Sequence, residues 1–109
     1  MVKRTGNVRI MPQRAEITPE KMERYLDITR RALDKVKIAP PERSMGRRAA
    51  EDFLNMAQSY YSDARHFRDQ GDFVNGFACV NYAHGWLDAG ARLGLFDVGG
   101  DDVLFTLSE

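Results

Sequence analysis

At 109 residues, with 43% apolar and 29% charged side chains, the chain has the make-up of a single globular domain rather than a fibrous or disordered segment. Sixteen basic and sixteen acidic residues cancel, which removes any global charge argument for nucleic acid or an anionic surface. A lone cysteine, Cys79, rules out an intrachain disulfide framework and favours a reducing, cytoplasmic setting.

No apolar run approaches a membrane span, and the opening MVKRTGNVRIMPQR lacks the apolar core of a signal peptide, so no membrane partner is expected. Residues 1–17 read as a basic arm: Lys3, Arg4, Arg9 and Arg14 stand against Glu16 alone, and Gly6, Asn7 and Pro12 discourage a helix. Thr18-Pro19-Glu20 then starts a helix, with a capping hydroxyl, a proline at the first position and an acid at the positive end of the dipole. Met22, Leu26, Thr29, Leu33 and Val36 follow at three- and four-residue steps and form one apolar stripe. Pro40-Pro41 stops that helix.

The connection is basic. Lys35, Lys37, Arg43, Arg47 and Arg48 lie in or near it, opposed locally by Glu42. Ser44 is positioned to cap the second helix, and Glu51 and Asp52 stand four residues beyond the two arginines, at ion-pair spacing. Read blandly this is a solvated linker. Read sharply, free amides beside arginines make an anion or nucleic-acid patch.

The second helix carries Ala50, Phe53, Ala57, Tyr60, Ala64 and Phe67 in an unbroken 3-4 rhythm. That rhythm calls for close antiparallel packing. Gly71 ends it and Asp72 caps a third helix, giving a short αα-hairpin. One stripe of the third helix runs Phe73, Phe77, Val80, His84, Leu87, Ala91, and a second runs Cys79, Tyr82, Ala83, Trp86, Gly90, Leu93. A helix apolar over so much of its circumference is central or covered by a partner. Gly76, Gly85 and Gly90 each cost about 1 kcal/mol of helix propensity, so each is expected where another backbone approaches. The tail beyond, FDVGGDDVLFTLSE, joins acids to an apolar run across a Gly99-Gly100 attachment that reads as flexible. It can dock on its own bundle or on a neighbour.

The segments Tyr60-Tyr61-Ser62-Asp63-Ala64, Phe67, Gly71-Asp72, Ala78, Tyr82-Ala83-His84-Gly85-Trp86-Leu87-Asp88-Ala89 and Leu93-Gly94 together resemble the archaeal family DUF357. The resemblance covers about residues 18–95 and implies a compact helical bundle and an archaeal source. It implies no catalytic residues, since the family has no assigned activity. The hairpin is also loosely similar to a tetratricopeptide unit, but without a repeat of period near 34 a solenoid is not supported.

With the turn centred on Gly71, facing residues of the hairpin have numbers adding to about 142. Tyr60 then falls near Asn81 and Tyr82, Ala57 near His84 and Gly85, and Phe53 near Asp88. On that register Tyr60, Tyr61, Asn81, His84 and Asp88 line one polar seam. It is either a buried hydrogen-bond network or, with His84 oriented by Asp88 one turn on, a ligand or acid–base site. No nucleophile accompanies it: Cys79 lies on another face and no GxSxG occurs. Metal binding and the helical ribonuclease pattern are also disfavoured, because neither repeated Glu-x-x-His nor a spaced Arg and His is present. No cofactor or metal is implied.

The reading that follows is an all-α antiparallel three-helix bundle with a long helix 2–helix 3 hairpin and flexible termini. Helices fall near 18–37, 46–70 and 72–94; residues 18–95 form the domain and 96–109 an acidic, apolar tail. Its first functional reading is a non-enzymatic interaction module that self-associates through a face containing Trp86, Tyr82 and Leu93. The second is a nucleic-acid accessory protein using Lys35, Lys37, Arg43, Arg47 and Arg48. The third is a small-ligand binder or enzyme built on His84 and Asp88.

Overall fold

A computed structural model of the chain describes residues 16–106; the basic arm up to Ala15, and Leu107 to Glu109, lie outside the described residues. Three helices carry the fold: α1 Pro19–Lys35, α2 Met45–Asp69 and α3 Phe73–Arg92. Two short extended pieces, β1 Lys37–Ile38 and β2 Phe96–Asp97, join them. The all-α bundle with its long α2–α3 hairpin is as the sequence reads.

Local chemistry sets the helix ends. Thr18, Ser44 and Asp72 each stand at an N-cap, where their side-chain oxygens accept the amides of Lys21, Arg47 and Asn75. Gly71 takes the left-handed φ of 77° that a helix stop needs. Around it the Asp72 amide reaches Phe67 O at 2.9 Å and the Gly71 amide reaches Arg68 O at 3.0 Å. This paired closure satisfies carbonyls that α2 would otherwise leave bare. Gly94 repeats the arrangement at the end of α3, with the Leu95 amide donating to Gly90 O at 2.9 Å.

The α2–α3 pair is the principal interface, and alanines make it close. Ala50, Ala57 and Ala64 on α2 face Val80, Ala83 and Leu87 on α3, all fully buried. α1 lies across both, contributing Met22, Leu26, Thr29 and Ala32. The core divides in two. Near the hairpin turn Met22, Leu26, Ala64 and Val80 pack together, with Phe77 and Tyr25 alongside. At the open end Ala32, Ala50, Ala57 and Leu87 are joined by Phe96, Val98 and Phe105 from the tail.

That last group is where the structure departs from the sequence reading. α1 stops at Lys35, ahead of the prolines, because Lys37–Ile38 pair antiparallel with Phe96–Asp97, in the register Lys37 to Asp97 and Ile38 to Phe96. The Ala39 amide extends the pairing by donating to Leu95 O at 2.9 Å. Gly99 and Gly100, expected as a flexible attachment, are two consecutive left-handed turn residues (φ 65° and 73°) that fold the tail back onto the open end of its own bundle.

Two of the three costly glycines are explained by packing. A Cβ at Gly76 would meet Met22 Cε at 3.2 Å and Ala64 O at 3.3 Å, and one at Gly90 would overlap the Phe96 ring. Gly85 is the exception: where its Cβ would stand, none of the described residues comes within 4 Å.

Candidate functional site

The residues singled out from the sequence fall on two sides of α3 and on the α1–α2 connection. Adding residue numbers fixes the level along a hairpin but not the side of the helix. Residues 82 and 86 stand only about 40° apart around α3, whereas 82 and 84 are about 200° apart. The expected seam therefore splits.

On one side Tyr60 meets Tyr82 edge to face, ring centroids 4.5 Å apart, as the register requires. Phe53 meets Trp86 in the same manner at 5.0 Å, rather than facing Asp88. Tyr61 turns the other way, toward the Met22–Leu26 cluster. On the far side, between α1 and α3, Asn81, His84 and Asp88 do come together. With Tyr25, Ile28 and Thr29 they line an open groove of about 330 Å³.

His84 is the centre of that groove, and its ring is spoken for. Nε2 lies 2.7 Å from Leu104 O, and Nδ1 lies 3.0 Å from Thr29 Oγ1. A carbonyl can only accept, so Nε2 carries a hydrogen and donates it. In the neutral ring Nδ1 then accepts from the Thr29 hydroxyl, which is 2% exposed and needs a partner. Asp88 stands 3.8 Å from His84 Nε2 and accepts instead from the Thr106 amide at 2.9 Å. The pair is a clasp between α1, α3 and the tail. Acid–base chemistry at His84 would have to break one of its two hydrogen bonds. Cys79 offers no nucleophile to go with it, because burial, and then Asp63, push its thiol upward and keep it protonated.

The tail is held on the other flank by Asp101, whose Oδ1 accepts the amides of Leu104 at 2.9 Å and Val103 at 3.0 Å while Oδ2 lies 3.7 Å from Lys35 Nζ. The Leu104 bond foremost, then the Val103 bond and Lys35, hold its carboxyl below the usual aspartate range against the opposing pull of desolvation. A folded value below the unfolded one gives stability that is complete above the unfolded range, about 3.9, and is lost as the pH falls through the folded value. Protection of the Leu104 amide in hydrogen exchange is therefore expected to drop on acidification below that range, and in Asp101→Asn to be weak at every pH.

The basic connection is less free than its composition suggests. Arg47 is flanked by Glu51 at 3.3 Å and Glu42 at 3.4 Å, and it donates to Pro40 O at 3.3 Å. Lys35 faces Asp101, and Lys37 shares its surface with Asp34 and Asp97. Arg43 and Arg48 remain exposed, Arg43 with a left-handed φ of 67°. Two open arginines on a neutralised loop make a thin footprint for a polyanion.

The remaining feature is the outward face of α3. From Phe73 to Leu87 this helix has no Asp, Glu, Lys or Arg. Val74, Tyr82 and Leu93 are 74%, 53% and 67% exposed, and an apolar groove of about 280 Å³ runs along Tyr82, Gly85, Trp86 and Ala89. Trp86, half-buried against Phe53, has an indole nitrogen that is buried without a hydrogen-bond partner. The sequence reading named Tyr82, Trp86 and Leu93 here, took Gly85 as a point of backbone approach rather than as part of this face, and missed Ala89. It also missed Thr29 as the partner of His84, although a hydroxyl within an apolar stripe asks for one.

Among the described residues no helix is long and apolar enough to cross a membrane, and no group of three or more His, Cys, Asp and Glu side chains is arranged to hold a metal ion. A family model described as "Protein of unknown function (DUF357)" matches residues 24–96, more than half of the chain. No curated protein and no solved structure matches it.

Proposed function

Because the chain belongs to the DUF357 family, whose description assigns no activity, we propose from its own geometry that it is a non-enzymatic helical interaction module that self-associates. The observation that carries this is the outward face of α3, which has no charged residue from Phe73 to Leu87. In a protein with 29% charged residues, about four turns of helix without a charge leave Val74 and Tyr82 open to water, and Leu93 is exposed beyond Arg92. A helix face of this size, on the order of 300 Å², matches the largest apolar patch of a typical monomer, and such patches are often functional. Aromatic side chains such as Tyr82 and Trp86 are also the ones most often found as anchors in such contacts.

The competing readings each lose support to a specific contact. The ligand or enzyme reading needs His84 free, and both of its ring nitrogens are engaged. The nucleic-acid reading needs the basic connection free, and Arg47 and Lys35 are engaged by acids. A cytoplasmic setting suits a lone, protonated Cys79.

Sedimentation equilibrium over a wide concentration range tests the proposal. The weight-average mass is expected to climb from 12.4 kDa toward twice that value. A mass that stays at the monomer value up to the highest soluble concentration would sink it.

A further inference from the structure

We draw no further inference here: the strongest candidate, the groove along Tyr82, Gly85, Trp86 and Ala89 on the outward face of α3, belongs to the surface already proposed for self-association, and nothing in the structure shows what covers it.

Discussion

A chain that ends at Leu95 is expected to melt on the order of 20 °C below the full-length protein. The cut would leave all three helices intact and fall within one residue of the end of the family match, so a reading from helices alone would expect little change. The core says otherwise. Phe96, Val98 and Phe105 are 3%, 5% and 3% exposed, and they close the open end of the bundle over Leu87, Ala32 and Ala50. Burying such side chains contributes about 1.5–3 kcal/mol each. The β1–β2 pairing and the hydrogen bonds of His84, Asp88 and Asp101 add to this burial, against the entropy of ordering the tail. The net loss expected on removal is that of one large buried side chain, on the order of 4 kcal/mol. Against a total stability of about 5–15 kcal/mol for a domain, that is a large share. At about 4–8 °C per kcal/mol for a chain of this size, it gives the predicted shift, read by circular dichroism.

Two point variants separate loss of the tail from loss of particular contacts. Phe96→Ala alone should cost about 3–4 kcal/mol. Gly90→Ala is the sharper case, because propensity favours it by about 1 kcal/mol while its Cβ would overlap the Phe96 ring. Overpacking of a fixed ring costs about 1–3 kcal/mol, so a net loss is expected. A gain in melting temperature would mean that the ring is free to move.

The parts of this architecture that were legible in the sequence are those governed by local rules. Thr18, Ser44 and Asp72 were readable as caps because a short polar side chain ahead of an apolar period has few other uses. Ala50, Ala57 and Ala64 were readable as core because the 3-4 spacing puts them on one face. The Tyr60–Tyr82 contact followed from the length of the turn. What was hidden depends on contacts far apart in the chain. Lys37–Ile38 have no period to detect, and their pairing with Phe96–Asp97 appears only once α2 and α3 have brought the two pieces together. The tail's Gly99-Gly100 reads as a tether in composition and is a turn in conformation, since glycine permits both. The polar seam split for a local reason that the register alone ignores: Tyr82, the partner of Tyr60, and His84 are near neighbours in sequence but face opposite sides of their helix.

Replacing His84 by Ala is expected to cost about 3 kcal/mol, for reasons that also bear on function. The substitution leaves the Thr29 hydroxyl buried with no partner, a penalty of about 1–3 kcal/mol. It also strips Leu104 O of its donor and removes a ring packed 6.3 Å, centroid to centroid, from Phe105. The tail should loosen with it, seen as faster amide exchange at Leu104 and Thr106. Thr29→Val alone should cost about 1–2 kcal/mol, by stranding Nδ1 instead. If the two groups act through one bond, the losses will not add: Thr29→Val placed in the His84→Ala background should cost close to nothing, a coupling of about 1–2 kcal/mol. A catalytic or ligand-gripping histidine predicts the opposite pattern, since groups held ready for chemistry can be removed with little loss of stability. A His84→Ala chain that melts like the parent, with its tail still protected, would return the imidazole to the pool of available groups and reopen the ligand reading of the α1–α3 groove.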